Sequence, residues 1–219
     1  MLRLFVTGSV KGGNRRKMAM NEKFFDLKKD KQDRIISAAL KHFALNGFLH
    51  ASTDDIVRDA QISKGLLFHY FGSKVGLYGF LYDYAVRFMA IELSTYVSGD
   101  ETDYFAIVKE ILTARVDAMR QYPYVQLFLE RAEEEEVPEA IAATHERRMS
   151  LEEQVGTILD RADITRFVAG ADYVITGHII DYALRGLMYD HIRSGAFSPE
   201  RYGAEAVRYI DMMKKLLYN

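Results

Sequence analysis

The chain has no cysteine. That absence removes disulfides, thiol catalysis and cysteine-ligated zinc together, and it suits a reducing compartment, so a cytoplasmic location is expected. Proline is scarce: Pro123, Pro138 and Pro199 are the only three in 219 residues. They leave long uninterrupted stretches that favour helices. No apolar run approaches the ~18 residues that cross a bilayer, so no membrane partner is expected. The apolar core Leu2 to Val6 is too short for a secretion signal. What remains is 49% apolar and 27% charged, ordinary for a chain that builds a real core in one large or two modest domains.

The net charge of −2 conceals an asymmetry. Residues 1–72 hold 13 Lys and Arg against 7 Asp and Glu, a net of +6; residues 73–219 hold 16 against 24, a net of −8. A basic first third on an acidic remainder suggests an anion-binding head on a body with another task.

Leu2 to Gly8 reads as a short strand followed by glycines at 8, 12 and 13. The turn is similar to the TGxxxGxG loop of short-chain dehydrogenases, but Asn14 stands where the last glycine belongs. No alternating strand–helix pattern follows, and no Lys-Ser/Thr pair closes a phosphate loop, so no cofactor is expected. Met18 and Met20 are alternative starts, which makes residues 1–17 a leader that never packs. The basic stretch from Arg15 to Lys31 reads either as an arm that touches phosphates or as a solvated tail. Residues 1–30 are therefore set apart as a disordered leader.

From Asp33 the period is helical. Ile35, Ile36, Ala39, Leu40 and Phe43 share one face, Asn46-Gly47 ends the helix with Gly47 in a left-handed cap, and Phe48 packs back. Ser52 to Asp55 supplies an N-cap and two first-turn acids for a short second helix carrying Ile56, Val57 and Ala60. Gln61-Ile62-Ser63 is a tight turn with Ile62 inward. Ser63 caps a third helix, Lys64 to Phe71, that stops at Gly72, and Ser73 caps a fourth. Two short helices about a tight turn, covered by a preceding helix, form the helix-turn-helix layout. Its second member enters the major groove by its N-terminal residues. Leu67 and Phe71 turn inward, leaving Lys64, Gly65, Leu66, Phe68 and His69 outward. Periodicity alone also admits Phe68, Tyr70 and Phe71 all lying in a core.

Thr53-Asp54-Asp55-Ile56, then Ala60 through Phe71, then Ser73-Lys74 and Leu77-Tyr78, resembles the DNA-binding signature of the TetR (tetracycline-repressor) family over roughly residues 33–80. The resemblance implies an all-α homodimeric transcription regulator. It places Thr53, Ser63, Tyr70 and Lys74 on the DNA backbone and Lys64, Gly65, Leu66 and His69 against base edges. Ala39, Phe43, Ile56, Ala60, Ile62, Leu67 and Phe71 fall on the head's core. Phe68 replaces the usual Tyr and Leu66 a frequent Thr or Ala, so both exchange a hydrogen bond for apolar contact, for example to a thymine methyl.

The rest reads as five or six more helices. The first, Lys74 to about Ser94, turns Leu77, Phe80, Leu81, Tyr84, Phe88 and Ile91 to one side and links head to body; Ser98-Gly99-Asp100 breaks it. The next, Asp103 to Gln121, ends at Tyr122-Pro123, before a short apolar piece from Tyr124 to Leu129. Glu133 to Glu136 precede Pro138, the first residue of a helix to Arg161 that carries His145 and Met149. They read as solvated acids near a helix N-terminus rather than a cation site. Ile164 to about Arg193 reads as one long helix, apolar on several faces. One stripe is Gly170, Tyr173, Gly177, Ile180, Leu184 and Leu187; another is Ala171, Ile175, Ile179, Tyr182 and Gly186. Ser198-Pro199 opens the last helix.

Two amphipathic antiparallel helices at a chain end suit a two-fold four-helix interface, the role the family resemblance assigns this pair. The expected interface residues are Gly177, Ile180, Leu184, Leu187, Tyr202, Ala206, Tyr209 and Met213. The competing reading leaves both helices completing the monomer core. His178, Asp181 and Arg185 share a third face, either lining a ligand cavity or forming an ion pair beside a histidine. Tyr124, Phe128, His178 and Tyr182 are the candidate ligand contacts. No cluster has zinc spacing, so no metal is expected.

The expected architecture is therefore all-α with about nine helices: a three-helix DNA-binding head over residues 31–75 and a ligand-binding and dimerisation body over 76–219. The expected function is a ligand-responsive DNA-binding regulator, a repressor that holds a near-palindromic operator as a homodimer until a small molecule releases it. The alternative is an all-α small-molecule carrier or enzyme whose head is only structural. It lacks a nucleophile–base pair, metal constellation or phosphate loop, so the chain is not read as an enzyme.

Overall fold

A computed structural model describes residues 23–195 and 197–218, with the side chains of residues 146–150 outside that description. The strand and glycine turn expected over residues 2–14, the starts at Met18 and Met20, and the Met149 side chain lie outside the described residues. Within them the chain is all-helical, apart from an isolated bridge between Phe167 and Tyr218. No helix among the described residues is long and apolar enough to cross a membrane.

The first helix, α1, runs Lys29–His50, four residues earlier than the apolar period indicates. Its start is fixed from behind rather than by a side-chain cap. Gln32 Nε2 donates to the carbonyls of Phe25 and Leu27 at 3.1 and 2.7 Å. Phe24 is fully buried against Tyr70, Phe71 and Phe80. Over residues 23–31 the solvated-tail reading is thus corrected, because burying one phenylalanine contributes ~1.5–3 kcal/mol and ties the segment to the head. Gly47, at φ +66°, interrupts α1, and Phe48 stacks back on Phe43 at 6.2 Å.

Helices α2 (Thr53–Ala60) and α3 (Lys64–Phe71) follow. Ile56, Ala60, Leu67 and Phe71 bury against Ile35, Ala39 and Phe43 of α1 in one continuous core. Helix α4 (Lys74–Tyr96) leaves the head and becomes a central strut of the body, packed on α5 (Tyr104–Gln121) and α7 (Pro138–Leu159), with α6 (Val125–Glu133) between head and body. Pro138 takes the first turn of α7, where its missing N–H costs nothing. Ile91, assigned to the apolar side of α4, is instead exposed.

The long helix expected from Ile164 to Arg193 does not form as one piece. Residues Ile164–Arg166 make a single 3-10 turn, Gly170 sits at φ +87°, and α8 begins only at Tyr173. Asp172 sets that start: its Oδ1 accepts the amides of Val174 and Ile175 at 2.8 and 3.0 Å. Phe167 is drawn off to pack on Tyr104, Phe105 and Tyr218, so tertiary burial overrides the local helical period. Helix α8 ends at Arg193, and α9 (Pro199–Leu217) returns beside it, capped by Ser198.

Candidate nucleic-acid interface

The helix-turn-helix is assembled by three serine caps. Ser52 Oγ accepts the Asp55 amide at 3.3 Å, Ser63 Oγ the Leu66 amide at 3.2 Å, and Ser73 Oγ the Gly76 amide at 3.0 Å. Between α2 and α3, Gln61 adopts the left-handed region at φ +54°, and the Ile62 amide closes on the Val57 carbonyl at 3.0 Å. This geometry aims the N-terminal end of α3 outward, with its dipole and unpaired amides toward solvent.

On α3, Leu67 and Phe71 are buried, while Lys64, Gly65 and His69 are exposed and Leu66 and Phe68 half-buried. Of the five residues expected outward, Lys64, Gly65 and His69 are exposed, whereas Leu66 packs partly against the core and Phe68 is half-buried. Nothing lies within 4 Å of where a Gly65 Cβ would stand, so the backbone there is open to close approach. Lys64 Nζ pairs with Asp54 across the turn at 2.8 Å, and both side chains are about half exposed or more. Thr53 and Ser63 flank this face, half-buried and exposed respectively.

Two of the residues that the resemblance places on phosphates are engaged inside the protein. Tyr70 is 8% exposed, with its ring edge-on to Phe24. Lys74 Nζ donates to the Leu49 carbonyl at 3.1 Å and lies 4.8 Å above the Phe48 ring. Burial pulls the Lys74 pKa below its usual value, while Glu139 and Glu135 oppose that fall. The sequence also gave no sign of the clamp that holds α2 against α1. Asp59 accepts from Lys41 at 3.1 Å and meets His42 at 2.9 Å, which keeps its carboxyl below the ordinary range. Partners 17 and 18 residues apart carry no local period.

The candidate ligand residues do not converge. Phe128 is fully buried among Phe43, Tyr78 and Tyr82 and belongs to the core. His178 and Tyr182 face solvent, Tyr182 being 71% exposed. Tyr124 lines a separate open cleft of about 670 Å³ between head and body, with Arg34, Lys41, Asp59 and Tyr122. At its rim Tyr122 donates to Asp33 Oδ1 at 2.5 Å and meets the Tyr84 hydroxyl at 2.9 Å, a chain from body to head. Asp181 and Arg185 form the ion pair, at 2.8 Å.

Most of the expected interface residues are engaged within the single chain. Ile180, Leu184, Leu187, Tyr202 and Ala206 are all under 9% exposed within the single chain, so they have little surface to offer a second one. Gly177 serves the same internal packing: a Cβ there would meet the Tyr104 hydroxyl at 2.8 Å. Met213 is half-buried against the core, and Tyr209 alone of the eight is well exposed. The stripe left open carries Ile175, Ile179 and Tyr182 on α8, with Tyr209, Met212 and Leu216 on α9. The acidic run before Pro138 is also more engaged than a solvated face. Glu133 pairs with Arg185 at 3.2 Å, and Glu135 accepts the Phe48 amide at 3.0 Å.

Residues 35–79 match the family of bacterial regulatory proteins, tetR family. The head is that of a TetR-family regulator. Solved TetR-family structures share the whole architecture. A regulator from Chloroflexus aurantiacus is 20% identical at a TM-score of 0.61, covering 90% of this chain and 98% of its own. One from Agrobacterium tumefaciens is 16% identical at 0.61, covering 86% and 98%. PfmR from Thermus thermophilus is 21% identical at 0.55, covering 82% and 96%. At such identities the likeness establishes the TetR-family fold, head and body together. The family and these neighbours are transcriptional regulators, not enzymes. No curated protein matches the chain.

Proposed function

We propose that this TetR-family chain is a ligand-responsive repressor that binds a near-palindromic operator as a homodimer and lets go when a small molecule enters the body. Residues 31–75 act as the DNA-binding head and residues 76–219 as the effector and dimer body. The observation that carries the reading is the exposed N-terminal face of α3, where Lys64, Gly65 and His69 stand clear while Leu67 and Phe71 anchor the other side. A helix presented in this way suits the major groove, and two copies would lie ~34–36 Å apart on successive turns. Thr53, Ser63, Tyr70 and Lys74 border the backbone, with Lys74 acting from its seat on Leu49; Leu66 and Phe68 supply apolar contact to bases.

The exposed stripe on α8 and α9 supports the homodimer. Six large apolar residues exposed on adjacent antiparallel helices are costly in water unless a second copy covers them. Effector coupling runs through α4, which is rooted in the head at Lys74 and packed along the body. A ligand shifts that equilibrium only by as much as it binds one arrangement better than the other.

A fluorescence-anisotropy titration with the DNA upstream of the chain's own gene tests the reading. Specific binding at ~10⁻⁸–10⁻¹¹ M, weakening steeply with salt, is the expected result. A folded protein that binds this DNA no better than unrelated duplex overturns it.

A further inference from the structure

The open cleft between head and body, about 670 Å³, has walls from distant parts of the chain. One wall is α1, where Arg34, Ser37, Ala38 and Lys41 stand at i, i+3, i+4 and i+7 and so share a helix face. Arg58 and Asp59, at the end of α2, close one side. The other wall is the junction of α5 and α6, from Tyr122 to Tyr124. Its volume is that of small-molecule sites, ~300–1,000 Å³.

The polar groups that line it differ in what they already hold. Asp33 accepts from Lys29 at 2.7 Å and from Tyr122 at 2.5 Å. Asp59 is taken by Lys41 and His42, at 3.1 and 2.9 Å, and Arg58 pairs with Asp55 at 2.7 Å. Both lining carboxylates are thus answered from within the protein. Arg34 is exposed and makes no ion pair or hydrogen bond among the described residues. The hydroxyls of Ser37 and Tyr124, both half-buried, have no partner among those residues either. A guanidinium fork and two hydroxyls therefore line the cleft with their hydrogen-bonding capacity unused, beside the apolar surfaces of Ala38 and Pro123.

We infer that this cleft binds an organic oxyanion, a carboxylate or phosphate monoester on a flat apolar body, with Arg34 and Ser37 on the head side and Tyr124 on the body side. Guanidinium matches either oxyanion in a bidentate fork, and the two hydroxyls add donors. The Tyr124 ring and Pro123 cover the apolar part. An organic cation fits poorly, because both lining aspartates already have partners. An anion seated there touches α1 and the α5–α6 junction together, and so ties head to body. The site is independent of the effector reading above, whose ligand enters the body.

Benzoate, phenyl phosphate, benzamide and benzamidine share one ring and differ in charge, which makes them suitable probes. Calorimetry on the full chain at pH 7.5 is expected to show at least one of the two anions binding about tenfold more tightly than benzamide, with no benzamidine binding. Which anion leads separates a carboxylate ligand from a phosphate one. Arg34→Gln should weaken anion binding about tenfold or more, the worth of a charge-assisted hydrogen bond, and leave the melting temperature nearly unchanged, since the side chain is exposed and unpaired. Tyr124→Phe removes one hydroxyl, keeps the ring, and should weaken binding about threefold to tenfold. Anions no tighter than benzamide, benzamidine bound as tightly as the anions, or anion binding undiminished by Arg34→Gln overturns the site. A loss with Arg34→Gln but none with Tyr124→Phe confines the anion to the head and overturns the bridge.

Discussion

Glu135 Oε2 accepts the backbone amide of Phe48 at 3.0 Å, joining two points 87 residues apart. Phe48 lies just past the Gly47 break in α1, and Glu135 lies in the loop between α6 and α7, so the bond ties head to body. Lys74 stands at the same joint, over the Phe48 ring and on the Leu49 carbonyl. The foot of α4, the tip of α1 and the acidic loop thus meet at one place.

Glu135→Ala should cost ~1–3 kcal/mol, the range for a hydrogen bond to a charged group with a part-buried donor left behind. The local sign is faster hydrogen exchange at the Phe48 amide. Unchanged exchange there would show the joint to be held by packing alone.

Gly65→Ala should separate stability from function. Open space at the site lets the helix gain ~0.5–1 kcal/mol, seen as a small rise in melting temperature. DNA affinity should fall at least tenfold, because the added methyl stands where the duplex approaches. Undiminished binding by a stabilised variant would place the groove contact elsewhere.

Lys74→Ala and His69→Ala should fail differently. Loss of Lys74 should weaken binding to all sequences and reduce the slope of log affinity against log salt by ~0.9, one phosphate contact. An unchanged slope would confine Lys74 to holding the α1 end. Loss of His69 should leave the slope alone and change the site recovered by binding selection; the same site recovered would exclude base readout.

Ile179 and Ile180 are neighbours with opposite surroundings, 48% and 5% exposed. Ile180→Ala should cost ~2–5 kcal/mol of stability as a core cavity. Ile179→Asp should leave the monomer's melting temperature nearly unchanged and shift sedimentation from dimer to monomer. A dimer that survives Ile179→Asp would place the interface off this stripe.

The head was legible because its signals are local. Serine caps sit immediately before α2, α3 and α4, Gly47 breaks α1 at φ +66°, and Gly72 ends α3 at φ +73°. The apolar period turns Leu67 and Phe71 inward but leaves Phe68 and Tyr70 open to either side, and of these two Tyr70 is the one buried. The end of the body was not legible in that way. Helix α8 is apolar on two stripes, and periodicity cannot say which one the chain buries itself. The stripe of Ile180, Leu184 and Leu187 went inward, and that of Ile175, Ile179 and Tyr182 remained outside. The cleft gave no signal either, since Arg34 and Tyr124 lie far apart in the chain and meet only across it.

From its residues alone, this protein's all-helical character, the turn between α2 and α3 and the outward face of α3 are determined, because caps, breakers and a 3.6-residue period act within a few positions of one another. Tertiary packing decided where α8 begins, which of its stripes is core, that Phe24 seals the head, and that Arg34 and Tyr124 line one cleft. Those outcomes depend on contacts between residues dozens of positions apart, and burial and charge have energies only once the distant partners are in place.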